Sequence, residues 1–535
     1  MKRFTKLFLS NYIPRGPNLC VARAYSQVAE CSATSEDKDE PPLDGNKKGL
    51  VLGVYEADGQ FELTEAAAEV DQKSDGKISQ HLTELSCQLQ LGKSFAVTDV
   101  PGYSAVALAS YGPKNACYNK LEELDEAREN VRWGVGAGVR VLQSRGCALL
   151  DVDPGTRPDA AAEAAQLAAW RFQEFRACKK PKCQVTQYGG AGAEWGEGAV
   201  RGDAQNWARH LSDMPANKMT PIDLAQAALD ELCPLGVVVE ARDREWISSQ
   251  DMRAFLAVAR GSCEEPAFLE CAYRGGRERQ PPVLLVAKGV TFDSGGLCLK
   301  SSELMCENRG SMAGAAVVLA TLKIIATLKV PINVVALLPL CENMISGQCM
   351  KVGDVVRALN GVNIQIEDTD MEGRLMMADA LVYGQTIYRP SLVIDVATFT
   401  RGVLLATGGG AYGCFSNSEA AWRLLRRAGA RAGDRPWRFP LWNYYHQQIV
   451  DDPAVDLRNK GSGSATPCLG AAFLRRFVCC DWLHVDVTGV GKVAHAAPPY
   501  LRARRMSGRP ARALAAALAD VAAPRADDKQ QGECG

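Results

Sequence analysis

Histidine is scarce in this chain, with 5 in 535 residues, and no His-Glu-x-x-His pair can be drawn from them. That absence excludes the helical zinc site in which two histidines and a glutamate share one face. There is no Walker loop, no Gly-x-Ser-x-Gly elbow and no Cys-x-x-Cys unit. The P-loop phosphate cradle, the nucleophile elbow of α/β-hydrolases and paired-thiol redox or zinc motifs are therefore excluded. A single Gly-x-Gly-x-x-Gly match at Gly408, Gly410 and Gly413 does not open the strand-turn-helix unit of a dinucleotide fold and reads as a loop. An excess of either charge is missing too: 61 basic residues face 62 acidic ones, which argues against a dedicated nucleic-acid binder. The one Lys/Arg-rich block in the folded region is Leu501-Arg-Ala-Arg-Arg505. Long apolar runs are absent as well. The most apolar tract, 330–341, contains Pro331 and Pro339 and ends at Glu342, too short for a bilayer, so no membrane partner is expected.

Acid is also lacking locally. The first carboxylate is Glu30, while Lys2, Arg3, Lys6, Arg15 and Arg23 precede it among Phe4, Leu7, Phe8, Leu9, Tyr12 and Ile13. A basic, acid-free, amphipathic start reads as a mitochondrial presequence over 1–25, with cleavage after Tyr25 and delivery to the matrix. A frayed basic tail is the alternative. Removing 1–25 takes away five basic residues and no acidic one, so the remaining chain is mildly acidic. The 19 cysteines are scattered rather than paired, which implies buried free thiols in a reducing compartment.

Composition and hydrophobic period divide the rest. Residues 26–48 are polar and read as a linker. Strand-like runs at 50–55, 105–109 and 148–152 alternate with helical stretches at 120–142 and 159–177, giving an N-terminal α/β domain over 49–200. A second α/β series follows a helix at 202–213, with strands expected at 237–240, 283–287, 332–338, 363–366, 392–397 and 484–487. This sets a larger C-terminal domain over 201–523, followed by a polar tail at 524–535.

Two segments carry chemistry. Lys288-Gly-Val-Thr-Phe-Asp293-Ser-Gly-Gly296, with Lys300 beyond it, directly follows an apolar strand. Loops leaving strand ends in α/β sheets gather ligand sites, and Gly295-Gly296 lets backbone approach a bound group. The other is Asp368-Thr-Asp370-Met-Glu372-Gly-Arg374. In an extended stretch this spacing turns Asp370, Glu372 and Arg374 to one side, so two carboxylates converge beside a guanidinium. A self-contained salt-bridge cluster is the alternative.

Together these segments closely resemble the signature of the dizinc leucyl aminopeptidases, the cytosol aminopeptidase family. The likeness continues through Pro215-Ala-Asn-Lys-Met-Thr-Pro221, Leu340-Cys-Glu-Asn-Met344, Val352-Gly-Asp-Val-Val-Arg357, Ala471-Ala-Phe-Leu474 and His484-Val-Asp-Val-Thr-Gly489. The resemblance implies an α/β fold with an N-terminal macro-like α/β domain and a C-terminal mixed-sheet metallopeptidase domain, assembled as a homohexamer. It implies two divalent metals, zinc or manganese, held by Lys288, Asp293, Asp370 and Glu372. It further implies that Lys300 stabilises an oxyanion, that Arg374 holds a bicarbonate, and that peptides lose their N-terminal residue.

Two positions depart from the family pattern. The fifth metal ligand is an aspartate just before Met-x-Gly-Ala-Ala; here Ser311 precedes Met312-Ala-Gly-Ala-Ala316. A neutral hydroxyl poorly replaces an anionic ligand, so occupancy of a second metal is in doubt. Nearby, Asn308 stands where a methionine is usual in the substrate pocket. The substrate loop Ala-Thr-Leu-Thr-Gly reads Ala397-Thr-Phe399-Thr-Arg401 here. Arg401 either swings into solvent or reaches Asp293 or Asp370 in place of a metal, and Phe399 narrows the pocket. The chain is thus read as a mitochondrial homologue with impaired or lost activity and a structural role, most similar to the sperm leucyl aminopeptidases of insects, which include degenerate-site forms. A working metal-dependent aminopeptidase is the alternative, and a nucleic-acid role the least favoured reading.

Overall fold

The computed structural model describes residues 44–523 apart from 58, 86–88 and 493–496. The expected presequence at 1–25 and tail at 524–535 lie outside the described residues. The expected linker meets them only at its end, where the strand Asp44–Ala57 already begins.

That strand reads as a continuous apolar run, with Leu50, Val51, Leu52 and Val54 buried, the pattern of a strand covered on both faces. It lies parallel to Ala105–Pro113 on one side and Cys147–Val152 on the other. The six-stranded sheet is completed by Ser94–Val97, Gln184–Gln187 and the antiparallel Gln60–Leu63. The helix expected at 120–142 runs over Glu126–Ser144, because Asp125 caps it by accepting from Arg128 N and a short hairpin occupies Tyr118–Asn119 and Leu124–Asp125. The helix expected at 159–177 stops at Ala169, and 170–183 has no regular secondary structure. The helix expected at 202–213 starts earlier, at Ala193.

The C-terminal sheet has nine strands of mixed direction. Val283–Ala287 sits between Leu392–Ala397 and Asn333–Asn343, parallel to both. Trp482–Asp486 extends the parallel set, while Ala267–Arg274 and Tyr412–Ser416 pair antiparallel. The helices Ala193–Asp213, Pro221–Leu232, Ala313–Thr327 and Ala511–Ala522 supply the core on one face. Arg253–Ala259, Gly373–Tyr388 and Thr466–Arg475 supply it on the other. The run Cys306–Thr327 is apolar and long enough to cross a membrane, but 89% of its most apolar window is buried in this core. It approaches so closely that a Cβ on Gly314 would stand 2.4 Å from the Val396 carbonyl. The described cysteines are free, and several, such as Cys178, Cys233 and Cys479, are exposed rather than buried.

A buried ion network joins the two domains. Glu163 accepts from Arg132 Nε at 2.9 Å and Arg512 Nη1 at 2.5 Å, while Arg132 Nη2 reaches the Arg431 carbonyl at 2.8 Å. Burial alone would raise the Glu163 pKa, but Arg132, Arg512 and Arg201 overcome it and hold the carboxyl at about 2. Its stabilising contribution is therefore complete above the ordinary glutamate range and is lost only as pH falls through about 2. Glu163→Gln strands buried guanidinium charge and should cost about 3–5 kcal/mol, seen as a lowered thermal midpoint at neutral pH that converges with the unmodified protein in strong acid.

Candidate metal centre

The site forms where the parallel strands end. Lys288 directly follows Val283–Ala287, and its backbone nitrogen donates to the Val396 carbonyl at 3.0 Å. The strand Gly289–Asp293 then pairs with the end of Asn333–Asn343, setting Asp293 opposite Asn343. Asp370 and Glu372 arrive from the other side, just before the helix Gly373–Tyr388.

The carboxylates of Asp293, Asp370 and Glu372 offer ligand atoms all within 4.8 Å of one another. Lys288 Nζ lies 2.7 Å from Glu372 Oε1 and donates to the Thr398 carbonyl at 2.9 Å. Its stem runs against Gly373, where a Cβ would meet Lys288 Cδ at 2.7 Å, so glycine there admits the lysine. Lys300 Nζ bridges Asp293, at 3.2 Å, and Asp370. Asp293 Oδ1 also accepts from Gly295 N and Asn343 Nδ2, each at 2.9 Å.

Burial and then the neighbouring Asp293 charge raise Asp370 to about 6 and Glu372 to about 7, although the lysines pull both down. The same carboxylates overcome burial to raise the Lys300 pKa. Three carboxylates so close require positive charge to stay ionised together. Oxygen donors with this convergence fit a divalent cation.

Several sequence expectations need correction. Residues 368–372 do not form an extended strand: the stretch is a turn, and Arg374 lies in the helix that follows. Arg374 therefore does not pair with the carboxylates beside it. Its Nη1 donates to the Asn459 carbonyl at 2.6 Å, and its guanidinium lies 5.6 Å from the Phe399 ring and 6.0 Å from that of Phe473. Burial lowers its pKa to about 10, which leaves it cationic at neutral pH. Gly295 and Gly296 adopt positive φ, and a Cβ on Gly295 would meet the Cys298 carbonyl at 2.4 Å. Their conformation serves the turn that returns Lys300 to the site.

Arg401 is exposed, opens the helix Arg401–Thr407, and makes no ion pair with Asp293 or Asp370. Lys300 bridges that pair instead. The Phe399 ring packs, tilted by 35°, at 4.9 Å from that of the buried His484, which bonds Asp395 at 2.5 Å. Ser311 is buried at the end of the segment Cys306–Met312, where its carbonyl accepts from Thr398 Oγ1 at 2.8 Å. Asn308 lies in the same segment, with a buried Nδ2 that has no partner.

Three further residues shape the centre. Asn343 ties Asp293 to the Thr369 carbonyl. Thr369 Oγ1 donates to the Gly295 carbonyl at 2.6 Å and accepts from Cys298 N. Asn459 braces Glu367 and Asp368 through their backbone nitrogens. Asn343 and Thr369 stand inside quoted motifs, whereas nothing in the sequence marks Asn459.

Residues 206–515 match the catalytic domain of the cytosol aminopeptidase family, and 51–179 match its N-terminal domain. The cytosol aminopeptidase of Xenopus tropicalis is 41% identical over 497 residues, covering 90% of this chain and 94% of its own. That of Sus scrofa is 41% identical over 477 residues, covering 87% and 91%. Among solved structures, the bottromycin maturation enzyme BotP is similar with a TM-score of 0.76 and 27% identity, covering 89% of this chain and 99% of its own. Its complex with Mn gives a TM-score of 0.75 at the same identity, covering 90% and 100%.

A cation must displace the protons that Asp370 and Glu372 hold below about 6 and about 7. Manganese affinity should therefore rise with pH through about 7, with protons released on binding. Calorimetric titrations of manganese chloride across that range check this; affinity independent of pH contradicts it.

Proposed function

The chain belongs to the cytosol aminopeptidase family, and we propose that it is a mitochondrial member whose peptidase activity is impaired or lost and whose role as a homohexamer is structural. The observation that carries this reading is Ser311. Asp293, Asp370 and Glu372 bring three negative charges to a place that, by resemblance, takes two dications, and the serine adds none. The position held by Asp293, Asp370 and Glu372 would keep its three carboxylates, while the one held by Lys288, Asp293 and Glu372 would lack an anionic ligand.

A divalent ion held there, zinc or manganese, supplies Lewis-acid polarisation of a peptide carbonyl and a bound water of lowered pKa. The manganese complex of BotP favours manganese as the first ion to try. Asp293, Asp370 and Glu372 would hold one ion, and Lys288, as a neutral amine, would join Asp293 and Glu372 at the other position, where Ser311 stands in place of an acid. Lys300 Nζ lies beside Asp293 and Asp370, where its charge can stabilise an oxyanion. Arg374, packed between Phe399 and Phe473, would hold a bicarbonate that moves the proton. Arg401 is exposed and supplies no charge to replace a missing metal.

The acid-free basic stretch before Glu30 supports mitochondrial import. It also supports kinship with the insect sperm members of the family, which include degenerate-site forms and accumulate as structural material. The near balance of basic and acidic residues argues against nucleic acid as a partner. A second reading, an active aminopeptidase acting on peptides such as those beginning with leucine, is favoured by Lys288 and Lys300 both being gathered with three carboxylates.

The chain purified from Ser26 and assayed on leucine anilide with added manganese or zinc distinguishes the two. Ser311→Asp should raise turnover on the order of 10- to 100-fold, and Arg401→Gly alone should leave it within about twofold. Robust turnover by the unmodified chain would overturn the impaired reading in favour of the second.

A further inference from the structure

Cys479 and Cys480 are the only cysteines adjacent in the sequence, and the metal centre makes no use of them. They lie in the loop between the helix Thr466–Arg475 and the strand Trp482–Asp486, where the chain bends at Cys480. Cys479 is exposed and Cys480 half-buried.

One side chain gathers both. Gln385 Oε1 accepts from Cys479 N at 2.8 Å, from Cys479 Sγ at 3.1 Å and from Cys480 Sγ at 3.7 Å. Gln385 is itself fixed, because its Nε2 donates to the Leu381 carbonyl at 2.8 Å and to the Phe477 carbonyl at 2.7 Å. On the other side of the loop, Asn417 Nδ2 donates to the Cys480 carbonyl at 2.8 Å. In an extended stretch neighbouring side chains point to opposite faces; here both sulfurs turn to the same oxygen.

The two thiols are not equivalent. Burial, then the Cys479 and Asp481 charges, push the Cys480 thiol up to about 11, so it stays protonated at neutral pH. The exposed Cys479 is the one that meets an oxidant first.

We propose that Cys479 and Cys480 are a peroxide-sensitive dithiol that closes to a disulfide between neighbours. The Cys479 thiolate attacks one oxygen of hydrogen peroxide; an S–O bond forms, the O–O bond breaks, and the departing hydroxide takes up the Cys479 proton as water. The Cys480 sulfur then attacks the sulfur of the Cys479 sulfenic acid. The S–S bond forms, the S–O bond breaks, and the hydroxide that leaves takes the Cys480 proton as a second water. Two electrons pass from the sulfurs to the peroxide, and the chain loses two hydrogens. Adjacent Cα atoms stand about 3.8 Å apart, closer than a disulfide usually spans. The bond is therefore strained and returns to the dithiol under a thiol reductant such as glutathione. Gln385 stands about 18 Å along the helix Gly373–Tyr388 from its start beside Glu372, so the dithiol is read apart from metal binding and turnover.

The test treats the full chain from Ser26, reduced and freed of reductant, with hydrogen peroxide at a dose that oxidises the exposed Cys178. Remaining thiols are blocked with N-ethylmaleimide, and the tryptic peptide 477–492, which holds only these two cysteines, is read by mass spectrometry. The expected product is this peptide unalkylated and two hydrogens lighter, restored to the doubly alkylated form when glutathione precedes the block. In Cys480→Ser the same dose should leave Cys479 as a sulfenic acid that dimedone captures, an adduct nearly lost in the unmodified chain. A peptide alkylated at both cysteines at that dose overturns the proposal. A sulfenic or sulfinic acid on Cys479 with Cys480 still alkylated overturns it too, as does a disulfide from either residue to another cysteine or a second chain.

Discussion

Holding three carboxylates within 4.8 Å of one another, Asp293 and Glu372 buried and Asp370 half-buried, is the constraint on which the rest of this molecule turns. Each carboxylate raises the cost of ionising the next, and burial adds to that cost. The fold meets it by bringing positive charge on fixed backbone. Lys288 is placed by a strand end and admitted by Gly373; Lys300 is returned by the turn at Gly295 and Gly296. Asn343 and Thr369 then lock the loops carrying Asp293 and Asp370 to each other. The parallel strands Val283–Ala287 and Leu392–Ala397 matter because their ends converge at this place.

By the family resemblance, an aspartate at Ser311 would add a fourth negative charge to the three gathered here; with serine there, and Lys288 bound as a neutral amine, Lys300 and one dication balance the three carboxylates. The same arithmetic decides another buried place. At the domain junction, Glu163, Glu129 and Asp434 answer Arg132, Arg512 and Arg509, so the charges lock the domains together.

The sequence showed the metal centre better than it showed the shapes that build it. Lys288, Asp293, Lys300, Asp370 and Glu372 were legible because residue types that carry chemistry followed apolar strand patterns, and the structure brings all five together. Arg374 was legible as a site residue, but its direction was not: the spacing alone could not tell an extended stretch from a turn entering a helix. Arg401 shows the limit differently, since a substitution at a loop glycine does not reveal whether the side chain turns inward or, as here, begins a helix facing solvent. The helix expected to continue to 177 ends at Ala169, and alanine-rich periodicity gave no sign of that break. Asn459 was invisible because its partners Glu367 and Asp368 lie far away in the chain.

The most direct test is the metal content of the purified chain after exposure to excess manganese or zinc and extensive dialysis. The account requires one tightly retained ion per chain, held by Asp293, Asp370 and Glu372. Two ions per chain, retained equally well, would contradict it.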